Sequence, residues 1–147
     1  MELDELRELL ALNHQIFAKA IEETSELLGP GAKGILYGSG KSAGKKIGKT
    51  REIVGSLSEA LNVVTEIHNA IKLGMTDDGK IVCNDCPFRE MLEAAALPLG
   101  GVICSLGHGY IAGILQELMG KRLDIKTEHA GPNACLLNAL LKEEVEE

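Results

Sequence analysis

The sequence predicts an α+β fold, in which helices come first and a small antiparallel sheet with an inserted helix follows. Three observations lead to this prediction. Apolar residues recur at helical spacing from Leu3 to Leu28. Asp77-Asp78-Gly79 has turn chemistry between two strand-like runs, and polarity alternates from Arg122 to His129. The length of 147 residues suits one core, so we expect a single domain over residues 1–142 and an acidic tail over 143–147.

The N-terminal helix is expected to run from Leu3 until Gly29-Pro30-Gly31 stops it. In the next segment Gly40, Gly44 and Gly48 recur every four residues and form one stripe on a helix. Each glycine costs a helix about 1 kcal/mol relative to alanine. We therefore expect another helix to approach closely and offset this cost.

A third helix begins at Ser56, because Ser56-Leu57-Ser58-Glu59 has the form of a capping box, and it ends near Asn69. Two strands, Ile71 to Thr76 and Lys80 to Asn84, then flank the Asp77-Asp78-Gly79 turn and form a hairpin. The turn residues set the boundary between the two strands.

The second half of the chain alternates helix and strand signals. A short helix is predicted over Pro87 to Ala96, and a longer one runs from Val102 to Met119 and ends at Gly120. The strand from Arg122 to His129 and the apolar run from Cys135 to Leu141 form a second hairpin around Gly131-Pro132-Asn133.

Composition and charge argue against nucleic-acid and membrane binding. The formal net charge is −7, whereas non-specific nucleic-acid binding depends on Lys and Arg that neutralise phosphates. The basic stretch from Lys41 to Arg51 is interpreted as a solvated helix face, because tryptophan is absent and aromatics make up only 3%. No apolar run reaches the roughly 20 residues of a membrane span. The acidic start, Met1 to Glu5, is typical of neither a secretory signal nor a transit peptide, so we expect a cytoplasmic protein.

Cysteine spacing gives the most specific chemical signal. Cys83 and Cys86 have two residues between them, a spacing at which both thiolates can face one tetrahedral Zn²⁺. Cys104 and Cys135 bring the total to four, which in a cytosolic chain favours a metal over disulfides. Two other interpretations stay open: a redox-active Cys-x-x-Cys pair, or Cys104 and Cys135 as small buried hydrophobes. His108, four residues after Cys104, is a further ligand candidate or a pocket wall.

No catalytic motif is apparent. Gly38-Ser39-Gly40-Lys41-Ser42 resembles a phosphate-binding loop, but Ile35 stands where that loop needs its first glycine. Nothing resembles a nucleophile elbow or a pair of catalytic carboxylates. The sequence therefore predicts a binding protein rather than an enzyme.

The segment Cys104 to Gly113 contains a cysteine, four residues, Gly-Tyr, two residues and a glycine, and a strand ending in Glu128 and the later Cys135 follow it. This pattern resembles the 4-vinyl reductase family of hydrocarbon-binding domains. That family also occurs as the sensor module of phenol-responsive transcription activators and shares the fold of a vesicle-tethering transport-particle subunit. The resemblance extends from about Leu27 to Leu141.

The resemblance implies a zinc site. In zinc-binding relatives the ligands are the cysteine before Gly-Tyr, the glutamate at the strand end, a cysteine three residues later and the closing cysteine. Cys104, Glu128 and Cys135 match three of these positions, but Gly131 replaces the other cysteine. Four protein ligands leave no open position, so the zinc is expected to be structural. The predicted ligands are Cys83, Cys86, Cys104 and Cys135, with Glu128, His129 and His108 as alternates.

The resemblance also implies a pocket for a small apolar or aromatic ligand, and a homodimer that uses the first helix and the glycine stripe. The residues expected to line the pocket are Tyr37, Phe88, Ile103, His108 and Tyr110. The predicted function is a ligand-binding or sensor module stabilised by zinc. Two alternatives remain: an accessory enzyme of tetrapyrrole-type reduction, and a thiol or metal redox protein.

Overall fold

The computed structural model describes residues 1–131 and 133–142. The predicted acidic tail at 143–147 and Pro132 of the predicted second turn lie outside the described residues. Elements follow in chain order, with a short 3₁₀ turn at Gly29–Gly31 after the first helix. They are α1 (Leu3–Leu28), α2 (Ala32–Gly48), α3 (Leu57–Ile67), β1 (Lys72–Met75), β2 (Ile81–Asp85), α4 (Pro87–Ala94), α5 (Val102–Met119), β3 (Arg122–Ala130) and β4 (Cys135–Lys142).

The predicted fold class is confirmed: N-terminal helices precede an antiparallel sheet, and two helices lie between β2 and β3 in the sequence. Local signals explain the boundaries. The Ser56 hydroxyl accepts a hydrogen bond from the Glu59 N–H at 3.2 Å and so caps α3. Gly120 has φ 63°, a left-handed conformation that ends α5 at low cost because glycine has no Cβ.

The four strands lie in the order β1-β2-β4-β3, and every neighbouring pair is antiparallel. The C-terminal strand β4 is therefore interior, with Leu137 opposite Ile81 of β2 on one side and Thr127 of β3 on the other. A register shift between Thr127 and His129 bends β3 near its end. This topology places the start of β4 next to the end of β2.

Helix α5 is the central element of the core and packs against α2, α3 and β3. By length and apolar composition it could cross a membrane, but 67% of it is buried, as in the core helix of a globular protein. One apolar cluster joins α5, α3 and the sheet, and a second joins α1, α4 and the start of α5. The largest fully buried side chains on α5 are Ile103, Ile111, Ile114, Leu115 and Leu118.

The glycine stripe of α2 packs against α5, as expected from the energetic cost of the glycines. A Cβ on Gly44 would lie 2.0 Å from the carbonyl oxygen of Tyr110, and a Cβ on Gly109 would lie 2.1 Å from that of Tyr37. The two backbones therefore touch directly. The stripe is buried within the chain, so the prediction that it forms part of a dimer surface is wrong. The segment Gly38 to Ser42 lies inside α2, so it forms no phosphate loop.

Candidate functional site

Four elements each bring one cysteine to the same region, and these residues are named the cysteine cluster here: Cys83, Cys86, Cys104 and Cys135. Cys83 and Cys135 are direct partners across the β2–β4 pair. The Cys86 thiol, at the N-cap of α4, interacts with that of Cys83. Cys104, in the first turn of α5, lies within electrostatic reach of Cys86 and Cys135. All four are free thiols.

The side chain of Arg89, 7% exposed, lies among these thiols. Its Nη2 donates to the Cys83 carbonyl oxygen at 3.1 Å and to the Cys135 sulfur at 3.3 Å. Its Nη1 donates to the Asn84 carbonyl oxygen at 2.9 Å. Its Nε is buried and has no hydrogen-bond partner among the residues described. The guanidinium therefore ties β2, α4 and β4 together and places a positive charge beside the sulfurs.

The thiols differ in acidity because their hydrogen bonds differ. The hydrogen bond from Cys83, backbone N–H groups of Arg89 and Phe88, and the nearby guanidinium together lower the pKa of Cys86 to about 6, although burial opposes them. The same hydrogen bond and burial raise the pKa of Cys83 well above its ordinary value. Burial also raises the pKa of Cys104, against a hydrogen bond from the Gly100 N–H at 3.3 Å. Cys86 is thus more ready to ionise than Cys83 or Cys104.

The alternate metal ligands predicted from the sequence lie in other environments. Lys80 Nζ donates to Glu128 Oε2 at 2.6 Å on the surface of the sheet. His108 Nδ1 lies 2.7 Å from the Thr127 hydroxyl, and the exposed His129 follows the irregularity in β3. Within residues 1–131 and 133–142, no three His, Cys, Asp or Glu side chains are placed to hold one metal ion. The zinc site stays a prediction.

The predicted pocket residues separate onto different faces of α5. Phe88 and Ile103 belong to the apolar cluster formed with α1 and α4. The Phe88 ring packs on Gly107, where a Cβ would lie 2.8 Å from its nearest ring carbon. Gly107 thus provides the space that an aromatic ring occupies between α4 and α5.

His108 follows Gly107 in the sequence and faces β3. It is 8% exposed, and burial lowers its pKa to about 4, so the imidazole is neutral at neutral pH. The Thr127 hydroxyl binds Nδ1. The described residues offer Nε2 no hydrogen-bond partner, so this atom remains available as a donor or an acceptor, according to the tautomer.

Tyr37 and Tyr110 lie away from Phe88, in two polar networks. The Tyr37 hydroxyl donates to Asp124 at 3.0 Å and accepts the Ile125 N–H at 2.8 Å, while Lys41 Nζ pairs with Asp124 at 2.7 Å. Burial, opposed by the Ile125 hydrogen bond, raises the pKa of Tyr37 to about 12. This network fastens α2 to β3.

The Tyr110 hydroxyl lies 2.5 Å from His68 Nε2 at the end of α3. Sequence reasoning gave no role to His68 and did not identify Arg89. The one signal for Arg89 is its position three residues after Cys86, which puts both side chains on the same face of α4.

Open clefts run along α1. One of about 500 Å³ lies between α1 and the end of α4, and another of about 200 Å³ lies between α1 and α2 around Phe17 and Leu36. Neither cleft is lined by the five predicted pocket residues. The smaller cleft is lined mostly by apolar side chains, whereas Gln15, Lys19 and Glu23 also line the larger one.

Comparison with known proteins gives one informative likeness. No protein-family model matches the sequence, and no curated protein does. Among solved structures, the chain is similar to the phenol-responsive sensory domain of the transcription activator PoxR, determined with phenol. The TM-score is 0.57 and the identity 15%, over 86% of this chain and 73% of the other. At that identity the likeness establishes a shared fold.

Proposed function

We propose that this chain is a binding module for a small apolar or aromatic molecule and that it acts as a sensor. The main support is the fold it shares with a phenol-responsive sensory domain over 86% of its length. The 4-vinyl reductase resemblance from Cys104 to Gly113 points to the same class of ligand. No observation favours the two alternatives, tetrapyrrole-type reduction and thiol redox chemistry.

The proposed ligand contacts are the Phe88 ring and the His108 imidazole. Phe88 already fills the space above Gly107, so a ligand ring can stack on it or displace it. The neutral His108 suits an uncharged ligand, and its Nε2 can bind a hydroxyl group. The apolar surroundings, including Ile103, favour burial of an aromatic ring.

The test is a melting-temperature series with phenol and larger aromatic compounds. A ligand at 100 times its Kd stabilises the folded state by about 2.7 kcal/mol, which is roughly 8 °C in Tm for a chain of this size. The variants His108→Asn and Gly107→Ala are expected to reduce the shift, the second because its methyl group meets the Phe88 ring. His14→Asn, at an exposed histidine of α1, is the matched control. The proposal is wrong if no compound raises Tm, or if all three variants respond like the parent chain.

We also propose that α1 forms the interface of a homodimer. Only Ala18 and Ser25 of this 26-residue helix are buried. Large apolar side chains along it are 43–61% exposed from Leu3 to Phe17, a patch of the kind that marks interaction sites. Light scattering after gel filtration is expected to show a dimer for the parent chain and a monomer for Ile16→Glu. Ile35→Glu, at a similarly exposed isoleucine of α2, should remain a dimer. A monomeric parent chain contradicts the proposal.

A further inference from the structure

We propose that the end of the molecule where α2 and α5 terminate is a docking surface for an acidic segment of a partner protein. This surface, named the basic face here, has an exposed isoleucine, Ile53, and cations from the neighbouring segments: Lys45, Lys46, Lys49, Arg51, Lys121 and Arg122. The proposal goes beyond the binding of an aromatic ligand and does not rest on it.

The basic face is formed by segments that are distant in the sequence and adjacent in the fold. Helices α2 and α5 run side by side in the same direction, since Gly40 lies against Leu106 and Gly48 lies against Ile114. Both helices therefore end at the same end of the molecule. Strand β3 begins there too, because only two residues separate it from α5. Cations that lie about 70 positions apart in the sequence thus share one surface.

An exposed apolar side chain lies among these cations. The Ile53 side chain reaches Gly120, where an added Cβ would lie 3.2 Å from its Cδ1. Ile53 is nevertheless 69% exposed. Arg51 precedes it by two residues, and Lys121 follows Gly120 directly. An apolar contact with a polar rim is the usual anatomy of a protein interface.

The charges of the basic face are not neutralised within the described part of the chain. The salt bridges found there involve other cations: Arg7, Lys41, Lys72 and Lys80. Residues 45–53 and 117–122 contain these six cations and two carboxylates, Glu52 and Glu117, which leaves an excess of four positive charges. The dipole of α2 accounts for Lys45 and Lys46 in its last turn, but the other four cations lie beyond the helix ends.

The partner that fits this surface is an acidic protein segment that carries an apolar side chain. The whole chain has a net charge of −7, so a positive surface at one end orients an approaching acidic partner. The basic face has no aromatic residue. Phe17 and Phe88 belong to α1 and α4, and Tyr37 and Tyr110 are held in hydrogen-bonded networks. Stacking of bases, which binds single-stranded nucleic acids, therefore has no platform here.

The basic face and the proposed ligand contacts lie towards opposite ends of α5. Gly107, which the Phe88 ring covers, precedes the last residue of α5 by 12 positions. At 1.5 Å per residue this separation is about 18 Å. The basic face also shares no residue with the proposed dimer interface on α1. An acidic partner and an aromatic ligand can therefore bind at the same time.

The test is fluorescence anisotropy with the full chain and a labelled acidic peptide. The peptide has about 12 residues, half of them glutamate, with two leucines. The parent chain is expected to bind it, and the affinity should fall about 10-fold between about 50 and 200 mM salt. The same peptide with glutamine in place of glutamate should bind at least about 10-fold more weakly.

Variants locate the binding surface. Arg51→Glu combined with Arg122→Glu should weaken peptide binding by about 10-fold or more, because the reversed charges repel the glutamates. Lys19→Glu combined with Lys33→Glu is the matched control. It changes the net charge equally at exposed cations of α1 and the start of α2, and should change Kd by less than about 2-fold. Ile53→Ser keeps every charge and should weaken binding by about 3-fold or more.

Circular dichroism checks that each variant is folded. If the double charge reversal fails to fold, Arg51→Gln combined with Arg122→Gln takes its place, with an expected loss of about 3-fold. The proposal is overturned by a parent chain with Kd above about 1 mM, by equal losses in the two double variants, or by an unchanged Kd in Ile53→Ser.

Other occupants of the basic face are separate outcomes of the same assay. Tighter binding of a single-stranded oligonucleotide, or of vesicles of phosphatidylserine and phosphatidylcholine, than of the peptide overturns the proposal. The acidic end of the chain is tested by a combined variant. If its affinity for the peptide rises by about 10-fold or more, that segment is the occupant and the proposal is wrong. The combined variant carries Glu143→Gln, Glu144→Gln, Glu146→Gln and Glu147→Gln.

Discussion

Replacing Gly44 by alanine tests the direct contact between α2 and α5. The new Cβ would lie 2.0 Å from the carbonyl oxygen of Tyr110, whereas ordinary contact begins at 3.4 Å. The two helices must therefore separate by about 1.4 Å at this point. The obstacle is backbone, so no side-chain rotation can relieve the overlap.

The expected cost follows from two opposing effects. Overpacking in a core costs typically 1–3 kcal/mol and occasionally more, and a backbone obstacle places this case at the upper end. Alanine is the better helix former by about 1 kcal/mol. We expect Gly44→Ala to reduce the free energy of unfolding by about 2–3 kcal/mol, and to lower Tm by roughly 6–9 °C for a chain of this size.

The matched control is Gly38→Ala in the same helix, where a Cβ meets nothing within 4 Å. This variant should raise the free energy of unfolding by about 0.5–1 kcal/mol, because alanine is the better helix former and its methyl group overlaps with no neighbour at this exposed position. Urea unfolding followed by circular dichroism measures both variants. If the two substitutions change the free energy of unfolding by the same amount, the close approach of α2 and α5 is refuted.

Three further predictions concern a helix cap, an ion pair and a histidine. Ser56→Ala should lower the free energy of unfolding by about 1 kcal/mol in urea titrations, because the Glu59 N–H loses its acceptor; an unchanged value contradicts the cap. Asp124→Asn should cost about 1–3 kcal/mol by the same measurement, since the half-buried Lys41 loses its charge partner; no loss would show that the network is unimportant. Acidification should destabilise the fold as pH falls from about 6.5 towards 4, because burial lowers the pKa of His108 and the unfolded chain binds the proton first. This loss of stability amounts to about 3 kcal/mol at most. Measurements of Tm against pH should show a smaller acid destabilisation in His108→Asn and an unchanged one in His14→Asn.

Local chemistry explains how much of the fold the sequence could predict. The stop at Gly29-Pro30-Gly31, the cap at Ser56 and the left-handed Gly120 all act within a few residues, so the elements were predicted with nearly their observed bounds. The strand order was not predictable in this way. The pairing of β2 with β4 joins segments about 50 residues apart, and no local signal selects it over pairing of β2 with β3.

The part of the candidate site that depends on the sequence spacing of its residues could be predicted. The two-residue spacing of Cys83 and Cys86 predicts that they lie together, but their approach to Cys135 depends on the strand order. The role of Arg89 follows from its burial, which only the folded structure shows. The division of the five predicted pocket residues between different parts of the core has a related reason. Which face of α5 each residue occupies depends on how Gly109 and Gly113 rotate the helix against α2. The spacing of these two glycines by four residues was the available signal.

The interior position of β4 has a consequence for folding and synthesis. Before β4 pairs with its neighbours, β2 and β3 both have unpaired backbone edges. The apolar surface that packs against the buried Leu137 is then exposed to solvent. A nascent or truncated chain that ends before Cys135 therefore cannot close its sheet, and its open edges are templates for association with other chains. Closure of the sheet therefore requires residues 135–142, which alone pair with both β2 and β3 among the described strands.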